Sequence, residues 1–198
     1  PDALYLVSYP VDGATIARAW ISQGGPQTFL LNDGMNSTDF IESVGAKFLE
    51  NAFGTSSGTT PTKSTEYFYS AYKDVSGGIE PSPPAADRSY DAGAIVGLAI
   101  AKAGTAEAAA IKAAIPQVVA SDGEPIFAGK DEFAKALELI KAGKPIKYEG
   151  VIGPVGFDEY GDITGPFRLW RISSGEVTTV GQMSAEDVMA LKDELVGK

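Results

Sequence analysis

Cysteine and histidine are both missing from this chain of 198 residues. Without them the chain can form no disulfide, no thiolate nucleophile, no Ser-His-Asp triad and no ordinary zinc site. A metal ion could be held only by oxygen ligands, as calcium is. Because carboxylates are the only candidates for a general base, we expect no catalytic residue, no resident metal and no cofactor, and we do not expect an enzyme.

Basic residues are scarce, since 16 Lys and Arg stand against 26 Asp and Glu for a net charge of −10. No basic patch is available to neutralise phosphates, so nucleic acid is not an expected partner. The apolar runs all fall short of the ~18 residues that a membrane span needs. The chain opens on Pro1 and Asp2 before a strand-like run. We therefore expect a mature or truncated chain from which any signal peptide has been removed.

The first part of the sequence alternates between strand and helix patterns. Short β-rich apolar runs predict strands at residues 4–8, 28–31 and 51–57. Apolar residues at helical spacing predict a helix between each pair of strands, the first capped by Asp12 and the second by Ser37 or Thr38. This alternation implies parallel strands joined by right-handed crossovers, and therefore an α/β fold.

The rest of the chain is helical and then β-rich. Helices are predicted at residues 64–75, 90–102, 105–115 and 131–141. The second of these is small and apolar almost all round, which predicts deep packing. Strands follow at 166–172 and 176–180, and Ser184 with Asp187 forms a capping box for a final helix.

Polar or aromatic side chains follow each of the three predicted parallel strands. They are Tyr9, Asp33, and the pair Ser56 and Ser57. Ligands of open parallel sheets bind at the carboxyl ends of the strands. Asp33 offers Coulomb attraction and Tyr9 a cation–π face, which together suit a small ligand with an ammonium group. Alternatively, Asp33 belongs to a plain loop turn, Tyr9 is a rim aromatic, and the two serines form a strand-end turn.

Two other clusters favour structural roles. The segment with Asp158 and Asp162 lacks the regularly spaced oxygen ligands of a calcium-binding loop. It predicts a tight turn between strands instead. Tyr67, Tyr69 and Tyr72 have no interleaved basic residues, so they predict helix packing rather than a platform for stacking bases.

Three stretches of the sequence carry a known family pattern. They are residues 5–10 with 29–34, residues 89–92 with 98–104, and residues 148–150 with 153–155 and 157–162. In this order and at these spacings, the chain resembles the carboxyl-terminal part of a periplasmic substrate-binding protein of an ABC importer. The specific group is the leucine-isoleucine-valine-binding type, which has the type I periplasmic binding fold.

The resemblance implies two lobes, each with a parallel sheet flanked by helices. Residues 1–57 and 166–198 would form most of lobe 2, and residues 58–165 would form part of lobe 1. Hinge crossings would lie near residues 57–61 and 163–168. The family also has an amino-terminal portion of similar size. We therefore expect a fragment whose apolar helices pack against that missing half or against a second copy.

The resemblance also implies a ligand site between the lobes. In amino-acid-binding members, an aromatic residue and then an acid follow two successive strands, and the acid binds the α-ammonium group. Those roles fall on Tyr9 and Asp33, and Ser56 and Ser57 would add hydrogen bonds. Some members place an aromatic residue shortly before the helix at 90–102, where this chain has Ala85. That difference argues against branched-chain specificity and for a roomier or differently walled pocket.

The function implied is that of a solute-binding component of an ABC transporter. It would capture a small amino acid or a related compound and deliver it to a membrane permease. The location implied is the periplasm, or the outer side of a membrane through a lipid anchor. The alternative is a ligand-sensing regulatory or receptor domain of the same fold, which would contact a signalling partner instead of a permease.

Overall fold

The computed structural model describes residues 1–78, 81, 85–158, 160–163 and 165–196. The chain divides into two compact units. The first unit comprises Pro1–Gly58 and Pro166–Lys198, and the second comprises Thr59–Gly165.

Seven strands and seven α-helices lie along the described part of the chain. In order they are β1 (Leu4–Leu6), α1 (Pro10–Ser22), β2 (Thr28–Leu31), α2 (Thr38–Val44), β3 (Asn51–Ser57), α3 (Lys63–Val75), α4 (Ala85–Ala103), α5 (Ala108–Ala114), β4 (Glu124–Ile126), α6 (Lys130–Lys141), β5 (Ile146–Tyr148), β6 (Phe167–Ser173), β7 (Glu176–Met183) and α7 (Ala185–Val196). Three short 3-10 turns lie at Asp33–Met35, Ala46–Phe48 and Ile115–Val118. The predicted α/β class is confirmed.

The first unit is built on a five-stranded sheet in the order β1-β2-β3-β6-β7. The first three strands are parallel, and β6 and β7 continue the sheet in antiparallel pairing. One face of the sheet packs against α1 and α2. The buried apolar residues on that side include Leu6, Ala14, Ala17, Phe29, Leu31, Phe40, Ile41, Val44, Ala52, Trp170 and Ile172. Burial of this face is the main stabilising contribution to the unit.

The first crossover helix does not start at its predicted cap, whereas the second does. Helix α1 begins at Pro10, and Asp12 lies within its first turn rather than at its cap. Proline favours the first helical position because its fixed φ is already helical and its missing N–H would have no partner there. Ser37 occupies the N-cap position of α2, but its side chain makes no capping hydrogen bond. Helix α2 ends before Gly45, whose φ of +98° is a conformation that glycine adopts readily.

The opposite face of the five-stranded sheet carries several apolar side chains that are partly exposed, together with polar residues such as Thr55 and Arg171. Register places Tyr5, Leu30 and Phe53 side by side on it, and Leu169 lies across from Thr55 on the same face. Tyr5 is 69% exposed, Leu30 47% and Leu169 42%. Parallel strands are normally covered on both faces. We call Tyr5, Leu30, Phe53, Thr55 and Leu169 the open sheet face.

The second unit holds a short parallel pair, β4 and β5, which shares a core with α4, α5 and α6. Helix α3 contributes Phe68 to a smaller cluster with Ala128 and Val151. Strand β4 is absent from the prediction because it has three residues, one of which is Pro125.

The predicted helix packing is confirmed for Tyr72 of α3, whereas Tyr67 and Tyr69 are 42% and 36% exposed. The rings of Tyr69 and Tyr72 lie 5.5 and 5.4 Å from the ring of Phe68.

Helix α4 is longer than predicted and is not packed all round. Ile95, Leu98 and Ala99 are buried, whereas Val96 and Ile100 are 42% and 40% exposed. An open apolar groove of about 500 Å³ lies beside the helix, against α6. The expectation of deep packing is therefore wrong for this side of the helix. No single described helix has the length and hydropathy of a membrane span. Helices α4 and α5 meet that test only as a pair bent by 107°, which is weak support for a span.

Candidate functional site

The carboxyl ends of β1, β2 and β3 lie at one edge of the first unit, because these strands are parallel neighbours. Tyr9 follows β1 and forms the N-cap of α1, with 77% of its surface exposed. Asp33 follows β2 and begins a 3-10 turn. Ser57 is the last residue of β3. Sheet topology therefore brings Tyr9, Asp33 and Ser57 to the same edge.

A side-chain amide joins the loops that follow β1 and β2. The Ser8 N–H donates to Asn32 Oδ1 at 3.1 Å, and Asn32 Nδ2 donates to Asp33 Oδ1 at 3.3 Å. The Gly34 N–H donates to the same Asp33 oxygen at 2.9 Å. Among the residues that the structure describes, Asp33 Oδ2 accepts no hydrogen bond, and no cation forms an ion pair with the Asp33 carboxylate.

Gly34 allows the two loops to touch. A Cβ atom at this position would lie 2.9 Å from the Ser8 carbonyl oxygen, so a larger residue would push the loops apart. The same atom would lie 3.6 Å from Cδ1 of Tyr9, which places the tyrosine ring beside the Asp33 loop. An exposed aromatic ring and a carboxylate with one unpartnered oxygen thus lie on two loops that contact each other. This combination can bind an ammonium group through Coulomb attraction and a cation–π contact.

The two serines of β3 point to opposite faces of the sheet, because side chains alternate along a strand. Ser56 is 1% exposed, and its hydroxyl accepts a hydrogen bond of 2.9 Å from the indole Nε1 of Trp170. It is therefore a core residue that satisfies a buried donor, and the structure does not bring it to the exposed edge. Ser57 is partly exposed and stays with Tyr9 and Asp33 at that edge.

Ala85 belongs to a different unit from these residues. It is the first residue of α4, and its side chain lies outside the described part of the structure. Its predicted place near a ligand stays a prediction.

The acidic segment near residue 160 forms the turn that its sequence predicts. Asp158 Oδ1 accepts hydrogen bonds from the backbone N–H groups of Tyr160 and Asp162, both at 2.9 Å. Such an arrangement holds a turn, because the carboxylate is engaged with its own backbone. Among the described residues, no group of three or more acidic side chains could hold a metal ion.

A second polar cluster lies within the second unit, around Asp91 of α4. Its carboxylate is 3% exposed and accepts hydrogen bonds from the Tyr148 hydroxyl at 2.7 Å, the Val151 N–H at 2.8 Å and the Ile152 N–H at 3.0 Å. Burial raises the pKa of Asp91, although these three donors act in the opposite direction. Burial also raises the pKa of Tyr148 far above its usual range, and the neighbouring Asp91 charge adds to this effect.

Side chains at the start of α3 complete this cluster. Thr62 and Thr65 donate to the carbonyl oxygens of Gly150 and Val151, both at 2.7 Å, and Ser64 donates to that of Glu149. With its backbone carbonyls and N–H groups paired in this way, the loop after β5 is held in place. We interpret the Asp91 cluster as structural, because its donors are engaged with protein groups rather than with an open edge.

Asn32 is the residue at the strand edge that sequence reasoning missed. A weak signal was present, since an asparagine at the end of a strand can bond the N–H of a neighbouring loop. The sequence alone does not show which loop lies next to β2, so it could not identify Ser8 as the partner.

No protein-family model matches the chain, and no curated protein sequence matches it either. Solved structures do match. A leucine-binding protein from Thermotoga maritima is 22% identical with a TM-score of 0.65, and the match covers 94% of this chain and 46% of that protein. A branched-chain amino acid transporter substrate-binding protein from Streptococcus pneumoniae, solved with isoleucine, is 20% identical with a TM-score of 0.57. That match covers 90% of this chain and 45% of the other.

A solute-binding protein of an ABC transporter from R. palustris, solved with benzoate, is also similar. It is 14% identical with a TM-score of 0.55, and the match covers 93% of this chain and 43% of that protein. At such identities the likeness shows the fold alone. The chain spans about half the length of these proteins. The expected resemblance is thereby confirmed: the chain has the α/β fold of about half of a type I periplasmic binding protein.

Proposed function

We propose that this chain is part of the solute-binding component of an ABC transporter, and that it binds the ammonium group of a small amino acid. One observation carries the proposal: Asp33 presents an unpartnered carboxylate oxygen beside the exposed ring of Tyr9, at the carboxyl edge of a parallel sheet. The fold supports it, because the similar structures are named as binding proteins.

The charge at this edge favours an amino acid over an acid without an amine. Two similar proteins hold different ligand classes, namely isoleucine, which carries an ammonium group, and benzoate, which does not. Asp33 would attract the first head group and repel a bare carboxylate. The net charge of −10 acts in the same direction at long range. In our proposal Tyr9 covers the ammonium group and Ser57 adds a hydroxyl at the same edge.

The remaining parts of the proposal concern the whole protein. We propose that it is not an enzyme, that it works in the periplasm or is lipid-anchored outside the membrane, and that it captures its ligand between two lobes and delivers it to a membrane permease. The names of the similar proteins support the transport role. The ligand chemistry proposed for Asp33 does not depend on the permease.

We further propose that the remaining half of the polypeptide covers the open sheet face. Two observations support this. The chain corresponds to about half of each similar structure. Most residues of the open sheet face are apolar, and two of them, Tyr5 and Leu30, are 69% and 47% exposed. Both lie on parallel strands, which are normally buried on both sides. Alternatively, a second copy of the chain packs against the open sheet face.

The test of the ammonium site is the substitution Asp33→Asn, which removes the charge at nearly constant volume. We expect the affinity for the best-binding amino acid of a calorimetric panel to fall by roughly 30- to 700-fold, as when one partner of a desolvated ion pair is removed. Asp122→Asn is the matched control, because it removes one charge from an exposed position in the other unit.

A deaminated probe makes the test specific for the ammonium group. The panel includes isoleucine and 3-methylpentanoate, which is isoleucine without its amine, as well as benzoate. We expect Asp33→Asn to weaken amino-acid binding but to leave binding of the two bare acids unchanged or stronger. Unchanged amino-acid affinity in Asp33→Asn, or tight binding of benzoate alone by the unaltered chain, would reject the proposed site.

A further inference from the structure

We infer that Asn32 is a positioning residue that aims the Asp33 carboxylate at the ligand. The inference rests on the proposed function, since it concerns how the same site is held. It starts from the fact that one amide side chain contacts both strand-end loops and the carboxylate itself.

The partners of Asn32 determine which way its amide faces. Ser8 presents a backbone N–H, so the atom that faces it must be an acceptor, and Asn32 Oδ1 lies there at 3.1 Å. Asp33 presents a carboxylate oxygen, so the atom that faces it must be a donor, and Asn32 Nδ2 lies there at 3.3 Å. Aspartate has no donor and serine is too short, so asparagine is the side chain of this size that satisfies both partners.

The same contacts determine which oxygen of Asp33 is presented. Oδ1 accepts from Asn32 Nδ2 and from the Gly34 N–H, and two donors on one oxygen restrict rotation of the carboxylate. Oδ2 is left to receive a ligand donor. Without Asn32, the carboxylate would keep the Gly34 contact alone and would turn more freely, so part of the binding free energy would be spent on ordering it.

The loops that follow β1 and β2 pack closely around the Asn32 side chain. A Cβ atom at Gly34 would lie 3.2 Å from Asn32 Nδ2 and 2.9 Å from the Ser8 carbonyl oxygen. The amide is therefore confined between the two loops, and the Tyr9 ring follows directly on the Ser8 side. Because its side chain bonds to both Ser8 and Asp33, Asn32 fixes the position of the Tyr9 loop relative to the Asp33 carboxylate.

The experiment is a double-mutant cycle with Asn32→Ala and Asp33→Asn, measured by calorimetry with isoleucine, or with the best-binding amino acid of the panel if isoleucine does not bind. We expect Asn32→Ala to weaken binding about tenfold, the worth of a hydrogen bond to a charged group. In the Asp33→Asn background, we expect the same change to cost less than about twofold, because no charged carboxylate is left there to be positioned.

Asn36→Ala is the matched control, because Asn36 lies in the same loop and its side chain makes no hydrogen bond to any described residue. Amide hydrogen exchange at Ser8 tests the hydrogen bond from the Ser8 N–H to Asn32 Oδ1 directly. Protection of this amide should fall in Asn32→Ala and persist in Asn36→Ala. If Asn32→Ala does not fold, Asn32→Ser replaces it, since a hydroxyl is too short for either contact but remains hydrated.

The outcomes separate this inference from the proposed function. If no amino acid binds, or if Asp33→Asn leaves the affinity unchanged, the proposed function fails and the inference fails with it. If Asp33→Asn weakens binding but Asn32→Ala does not, only the inference is overturned. It is also overturned if Asn32→Ala costs the same factor in both backgrounds, because Asn32 would then act through the loop rather than through Asp33.

Discussion

The buried carboxylate of Asp91 offers the sharpest test of how the second unit is held. In Asp91→Asn, Oδ1 can still accept from the Tyr148 hydroxyl and the Val151 N–H, which both reach that oxygen in the native structure. The new Nδ2 would face the Ile152 N–H across a contact of 3.0 Å, donor against donor. One buried donor is then left without an acceptor, which costs about 1–3 kcal/mol.

Removing the buried charge stabilises the fold and so opposes this loss. The raised pKa of Asp91 shows that the charge is unfavourable where it lies. Burial raises the pKa of Asp91 even against three hydrogen bonds, so the ionised form is disfavoured by its surroundings. We expect the lost contact to win, with a net decrease of roughly 1–2 kcal/mol in the free energy of unfolding at pH 7. Asp122→Asn should change it by less than about 0.5 kcal/mol, as is usual for an exposed position.

The pH dependence follows from the same raised pKa. The folded chain holds the Asp91 proton more tightly than the unfolded chain, in which the pKa is about 4. The stability that this proton contributes is fully present below about pH 4, and it is lost as pH rises through the folded-state pKa. The free energy of unfolding of the native chain should therefore exceed that of Asp91→Asn by the largest amount near pH 4, and this excess should decrease toward pH 7.

Urea unfolding followed by far-ultraviolet circular dichroism is the appropriate measurement. Both tryptophans, Trp20 and Trp170, lie in the first unit, so their fluorescence would not report on the second. Equal stabilities at pH 7 would contradict the expected decrease in stability, because relief of the buried charge would then fully offset the lost hydrogen bond. A difference that widens as pH rises would contradict burial as the main cause of the raised pKa.

Two further predictions concern the first unit. Ser56→Ala should lower its unfolding free energy by about 1–3 kcal/mol, because the buried Trp170 N–H loses its acceptor. Ser57→Ala should change stability by under about 0.5 kcal/mol, and both effects can be read from tryptophan fluorescence in urea. The isolated chain should self-associate through its open sheet face, and Leu30→Thr with Leu169→Thr should shift it toward a monomer in light scattering after size-exclusion chromatography. A native chain that elutes as a compact monomer of 20.6 kDa would refute the exposed-face argument.

Strands and helices with strong local signals were predictable from the sequence. The strand Thr28–Leu31 and the strand Asn51–Ser57 lie where the β-rich runs place them. The capping box of α7 is also confirmed, since the Ser184 hydroxyl accepts from the Asp187 N–H at 3.1 Å. Such features depend on a few neighbouring residues, which is why pattern alone suffices. Strand β4 has too few residues to form a pattern, and it exists because β5 lies beside it.

The candidate site at the edge of the first unit was also only partly predictable from the sequence. Strand ends at a common edge follow from strand–helix alternation, so the sequence alone points to Tyr9 and Asp33. The fate of Ser56 depends on pairing with β6, more than 110 residues away, where the Trp170 indole requires an acceptor. Local sequence carries no trace of that partner, and the same holds for the contact between Asn32 and Ser8.

By itself, the order of residues determined the α/β class, the parallel start of the sheet, and the chemistry that an absence of histidine and cysteine forbids. These depend on periodicity and composition, which act over short stretches of chain. Only the tertiary structure decided which serine is buried, which oxygen of Asp33 is left open, and which sheet face remains uncovered. Each of these depends on contacts between distant segments, whose geometry appears only when the strands are paired and packed.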